Sequence, residues 1–139
     1  MPAKLTAFAN DVLGLLLNAT AIANLVPTAT GGSANLTIAL HTAQPATDQT
    51  SSEISYTGYA RVNTARPGGW GAPASGQSFA AANITFGAMT GGTGGTVTHF
   101  SIGTGTSNKL MYYGTVAPNI VVTSGVTPQL TTATVVSET

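Results

Sequence analysis

Between Asn35 and Val136 the chain alternates short period-two stretches with runs of turn-forming residues. That rhythm restricts the fold more than any other feature. In Asn35–His41, Leu36, Ile38 and Leu40 fall on one face of an extended segment, as in a half-buried strand. Further strands are predicted at residues 59–63, 83–86, 96–102, 109–116, 119–123 and 130–136. The punctuation is Arg66-Pro67-Gly68-Gly69-Trp70-Gly71, Gly91-Gly92-Thr93-Gly94-Gly95, Gly103-Thr104-Gly105 and Ser124-Gly125, with a Gly31-Gly32-Ser33 turn ahead of the first strand. Short strands spaced about 8–12 residues apart between such turns indicate an all-β sandwich or barrel. No glycine pattern recurs at a fixed period, so a solenoid is not indicated. The predicted fold is mainly β, an antiparallel, jelly-roll-like β-sandwich. Its core takes Leu36, Ile38, Leu40, Ile84, Phe86, Phe100 and Ile102 from the strands. Residues 42–56 read as a polar loop.

The N-terminal region has a different period. Leu5, Phe8, Ala9, Val12, Leu15, Leu16 and Ala19 follow the spacing of one helical face, predicting an amphipathic helix over about residues 3–18. The apolar run Leu13-Gly14-Leu15-Leu16-Leu17 after Lys4 only loosely imitates a signal peptide, because Asn10, Asp11 and Asn18 interrupt it. No stretch reaches the ~18 consecutive apolar residues of a membrane span. The whole of residues 1–139 is read as one domain, consistent with its length.

Charge is scarce. Four basic and four acidic side chains make up 6% of the residues and sum to zero, against roughly 25% charged residues in ordinary soluble domains. No basic face is available to attract nucleic acid, and no membrane association is expected. At 42% hydrophobic and neutral, the chain does not have the composition of a disordered one. Without cysteine there is neither a disulfide framework nor a thiolate metal site. Stability must come from packing and backbone pairing, and solubility from Thr, Ser, Asn and Gly or from partners that cover the surface.

Candidate catalytic residues do not assemble in the sequence. His41 and His99 each neighbour an inward residue, Leu40 and Phe100, and are expected to face away from the core as surface or strand-end groups. No metal site is expected, since three protein ligands do not cluster. Asp48 and Glu53 are close in sequence but read as solvated loop charges, not as an acid/base pair. Neither Ser75-Gly76 nor Ser101-Ile102-Gly103 has the flanks of a nucleophile elbow. Gly91-Gly92-Thr93-Gly94-Gly95 lacks the Lys and the following helix of a phosphate loop. A sugar-binding face using Tyr59 and Trp70 is conceivable, but aromatic residues within a β core are the commoner case. The expectation is a non-enzymatic protein without cofactor.

Leu40-His41-Thr42-Ala43-Gln44-Pro45, Gly58-Tyr59-Ala60-Arg61, Gly95-Thr96-Val97-Thr98-His99-Phe100-Ser101-Ile102 and Leu110-Met111-Tyr112-Tyr113-Gly114, in that order and with the apolar C-terminal strand, resemble a family of small tailed-bacteriophage proteins. Its members are usually labelled tail fibre or virion structural proteins. The resemblance spans about Leu5 to Val136 and implies a component of the virion. It suggests a structural accessory protein, with capsid decoration (cement) as the first reading and a tail-fibre or tail-tip component, including receptor or glycan binding, as the alternative. The expected partners are other virion proteins, major capsid or tail, and further copies in a homo-oligomer. Leu5, Phe8, Val12 and Leu16 are the candidate partner contacts, and exposed strand edges are a second candidate surface.

Overall fold

The computed structural model describes residues 5–22, 34–104 and 108–138. The Gly31-Gly32-Ser33 turn, Gly105 and residues 3–4 of the expected helix lie outside them. The chain opens with helix α1 (Thr6–Asn18) and continues through β1 (Asn35–His41), β2 (Val62–Ala65), β3 (Gln77–Phe79), β4 (Ile84–Thr85), β5 (Gly95–Thr104), β6 (Leu110–Val122), β7 (Gln129–Leu130) and β8 (Val135–Ser137). Pairing is antiparallel throughout. One sheet has the order β2-β1-β5-β6, and two short ladders, β3-β8 and β4-β7, supply the rest.

The layers meet in one core. Leu36, Ile38, Leu40, Phe100 and Ile102 from the large sheet pack with Ile84, Phe86, Leu130 and Val136 from the ladders, and α1 adds Leu13 and Leu17. All seven strand residues expected to face inward are buried. The fold is therefore mainly β and antiparallel with one N-terminal helix, as the period-two rhythm implied. Its second layer is a pair of ladders two and three residues long, where a jelly roll would have a full sheet.

Several strand limits differ from the sequence reading. The strand expected at 59–63 begins at Val62, because Tyr59 instead turns its hydroxyl towards β1 and accepts the Leu40 N–H at 3.1 Å. The segment 130–136 is two strands separated by a turn closed by the Thr134 N–H on the Thr131 carbonyl. β3 was not anticipated. The segments 109–116 and 119–123 form one strand: Val97 pairs with Ile120 and His99 with Thr115, so residues 116–119 of β6 bulge opposite Thr98. Pro118 lies in this bulge, where no ladder hydrogen bond requires its missing N–H.

Glycine is required where backbones touch. Gly94 has φ +68°, and a Cβ there would stand 2.1 Å from the Val122 carbonyl oxygen. This close approach joins the Gly91–Gly95 turn to the end of β6.

Ile38 is wholly buried in the middle of β1. Ile38→Ala is expected to cost about 2–5 kcal/mol of unfolding free energy, read from the midpoint of chemical denaturation at unchanged m-value. An unchanged midpoint would contradict the β1 register.

Candidate partner-contact surface

The expected helical stripe is rotated in the fold. Burial is not shared equally around α1: Ala9, Leu13 and Leu17 are buried, and Leu16 packs partly against the core. Leu13 and Leu17 were not part of the predicted stripe. Polar anchors set the rotation. Asn10 Oδ1 accepts the Gly76 N–H at 2.6 Å, Asn18 Nδ2 donates to the Gly71 carbonyl at 3.2 Å, and the Arg66 guanidinium donates to the Leu15 carbonyl. The last contact also places a cation at the negative end of the helix. The helix closes with Ala19 in the left-handed conformation and the Thr20 N–H on the Gly14 carbonyl.

This rotation divides the four candidate contacts. Leu5 is 75% exposed and Phe8 42%, Val12 is half-buried, and Leu16 belongs to the core side. At 100° per residue, Leu5, Val12 and Phe8 lie side by side along one flank of the helix. The structure thus presents three of the four to the surface and withdraws one.

A buried polar layer lies on the other face of the large sheet. Residues 42–53 fold back over β1, so His41 is 0% exposed although it faces away from the apolar core as expected. It is not a surface group. Its Nδ1 lies 2.9 Å from the Ser51 carbonyl and must donate to it, which leaves Nε2 to accept the Ser101 hydroxyl at 2.7 Å. Ser101 Oγ in turn accepts Gln49 Nε2, which also donates to the Thr37 carbonyl at 2.9 Å. Gly103 makes room for Gln49, since a Cβ there would stand 2.1 Å from its Oε1. The Ser101–His41 contact has the appearance of a nucleophile and its base, but both groups are fully buried, out of reach of a dissolved substrate.

Glu53 is likewise not a solvated loop charge. Its carboxylate takes both Nε and Nη2 of Arg61 at 2.7 Å and the Tyr59 hydroxyl at 2.9 Å. Burial raises the Tyr59 pKa, and the neighbouring carboxylate adds to the shift. Asp48 accepts the Thr50 N–H and hydroxyl at 2.8 and 2.6 Å, hydrogen bonds that lower its pKa. Trp70 is buried with its Nε1–H on Thr64 Oγ1, and Tyr59 stacks on Phe86 at 6.1 Å. Both aromatics serve the core. Among the described residues no three His, Cys, Asp or Glu side chains come together, and no helix is long and apolar enough to cross a membrane.

A groove of about 660 Å³ runs between β6 and the C-terminal residues 129–137. Tyr112, Val116 and Ile120 of β6 line one side, Leu130 and Val136 the other, and no charged side chain lines it. Tyr112 donates its hydroxyl to Glu138 at 3.0 Å, tying β6 to the C-terminal segment.

Burial of His41 holds its pKa below 6.5, reinforced by Arg61 and His99 and opposed by the Ser51 carbonyl and Glu53. The unfolded chain therefore takes up this proton at a higher pH than the folded one. Stability is expected to fall as pH drops through 6.5 towards the folded value. Denaturation midpoints measured across pH 5–8 should show this slope, and His41→Gln should flatten it.

A sequence model of the family described as Podophage GP4 fiber I protein gp80 matches residues 5–137, from the first described residue through β8. No curated protein matches the chain. The match covers the same stretch as the resemblance noted in the sequence, about Leu5 to Val136. This chain belongs to the podophage GP4 fiber I protein gp80 family and is a bacteriophage virion protein.

Proposed function

We propose that the protein is a structural subunit of a phage tail fibre, held in the particle by apolar burial and carrying out no catalysis. The observation behind this reading is the family match over residues 5–137. The fibre description of the family favours a tail fibre over capsid decoration, the first expectation from the sequence. Charge placement supports the mode of attachment. Glu53 and Arg61 bond each other, Arg66 bonds the end of α1, and Glu138 accepts Tyr112. Few charges are left to face a partner, while Leu5, Phe8 and Val12 offer an apolar flank beside the core face of the helix.

Immunogold labelling of intact particles tests the location: label confined to the tail supports the fibre, whereas label spread over the head restores capsid decoration. Attachment is tested separately by retention on particles across a salt series. Apolar attachment should persist or strengthen as salt rises, because screening weakens only the charge term. Phe8→Ser should weaken retention with little loss of stability, since Phe8 is substantially exposed. Release at moderate salt, with Phe8→Ser indistinguishable from the parent, would show that charge holds the protein in place.

A further inference from the structure

Residues 42–53 cover the large sheet without joining the apolar core. None of their side chains belongs to it, and of the segment only Pro45 and Gln49 are fully buried. A small set of hydrogen bonds holds the segment down. Gln49 donates its side-chain amide to the Thr37 carbonyl and Ser101 Oγ, and its backbone N–H to the Asn108 carbonyl. Gln44 Nε2 donates to the Tyr113 hydroxyl at 3.1 Å, and the Ser51 carbonyl accepts His41 Nδ1–H. Ser52 has φ +54°, a left-handed backbone that a residue with a Cβ keeps only under constraint. A segment fixed by polar bonds and local strain, with little apolar burial, opens more readily than the fold beneath it.

The bonds under the segment all run one way. Gln49 Nε2 donates to Ser101 Oγ, the Ser101 hydroxyl donates to His41 Nε2, and His41 Nδ1 donates to the Ser51 carbonyl. This order needs a neutral imidazole. A proton added at Nε2 turns that acceptor into a donor aimed at Ser101, whose own hydroxyl must then find another acceptor. Gln49 Oε1 is the buried acceptor left without a partner among the described residues, but it lies against Gly103. Turning it towards Ser101 takes the amide donor away from the Thr37 carbonyl. With His41 protonated, the closed layer therefore always leaves a buried group unpaired. The surrounding charges do not repair this. His99, the cross-strand partner on β5, and Arg61 both oppose a positive ring, while Glu53 favours it but is engaged by Arg61 and Tyr59. Asp48 is bonded to Thr50, Tyr113 of β6 accepts from Gln44, and Lys109 precedes β6.

We infer that residues 42–53 form an acid-released latch: a proton on His41 lifts the segment off β1 and β5 as a unit, while the apolar core beneath stays closed. Opening takes up one proton, because both ring nitrogens regain water. It relieves the left-handed backbone at Ser52, uncovers Thr37, His41 and Ser101, and frees Tyr113 from Gln44. The outer face of the sheet is thus covered at neutral pH and presents hydroxyl, amide and imidazolium groups in mild acid. The inference rests on hydrogen bonds within the chain and does not depend on the tail-fibre reading. It also goes beyond overall acid destabilisation, which would not separate this segment from the core.

The test is hydrogen exchange of the purified full chain from pH 5 to 8, corrected for the intrinsic pH dependence of exchange and repeated in low concentrations of urea. The Thr42 and Gln49 amides should exchange through an opening indifferent to urea, and the amides of β1 and β5 only through urea-sensitive unfolding. Between pH 6.5 and the pH at which His41 titrates in the folded protein, protection at Thr42 and Gln49 should fall about tenfold per pH unit, the slope of a one-proton opening. Ring NMR signals of the two histidines supply that titration on the parent chain. His41→Gln should abolish the fall and leave the urea-indifferent opening in place. Thr42 and Gln49 amides that share the urea dependence of the core would overturn the inference. So would protection that stays constant from pH 5 to 8, or a fall that follows the His99 ring.

Discussion

β1 is buried on both faces, and the rest of the molecule is arranged around that condition. Leu36, Ile38 and Leu40 enter the apolar core, while Thr37, Ala39 and His41 are buried on the opposite side. A strand with alternating polarity tolerates double burial only if its polar face is supplied with hydrogen bonds. Residues 42–53 supply them by folding back over the strand. Gln49 serves the Thr37 carbonyl and Ser101, and the Ser51 carbonyl fixes the His41 tautomer. The Thr42 N–H and Ile54 N–H hold the two ends of the segment to Ser52 and Leu40. Glu53, Arg61 and Tyr59 then seal its outer side.

This arrangement explains what could be read from the sequence and what could not. The inward set from Leu36 to Ile102 was legible because period-two alternation depends only on backbone geometry. The burial of His41 was not, since it depends on a loop returning over the sheet, and a loop of Thr, Ser and Gln looks the same whether it faces water or a buried polar strand. Helix α1 was legible as a helix but not in its rotation. Apolar residues occupy most of positions 5–17, so several overlapping stripes satisfy helical spacing. The choice among them is made by Asn10 and Asn18, whose amides reach backbone groups more than fifty residues away. The gap between the stretches 109–116 and 119–123 does not end the strand either, because a bulge accommodates Pro118 within it.

The candidate contact surface follows from that rotation. Had Leu5, Phe8, Val12 and Leu16 been the core face, Leu13 and Leu17 would have been left outside. Instead the anchors turn Leu13 and Leu17 inward and Leu16 with them, so the residues available to a partner are those on one flank of the predicted stripe. The helix is apolar on more of its circumference than the sandwich covers, and the surplus distinguishes it from an ordinary amphipathic surface helix.

The same surplus recurs at β6, and the scarcity of charge links the two places. Most proteins keep apolar flanks and strand edges apart from other molecules with interspersed charges. Here the charged side chains bond chiefly within the chain, closing the polar layer over β1, holding α1 and tying Tyr112 to the C-terminal segment. Apart from a few charges such as Asp11 and Lys109, what remains on the outside is hydroxyl, amide and apolar. Such a surface gives up little solvation when it is covered, because desolvating a hydroxyl costs far less than desolvating an ion. A virion component covered by neighbours for most of its existence has no need of the charged surface that keeps a free protein monomeric. On the proposed reading, the composition of this chain suits an assembled state in which that surface is covered.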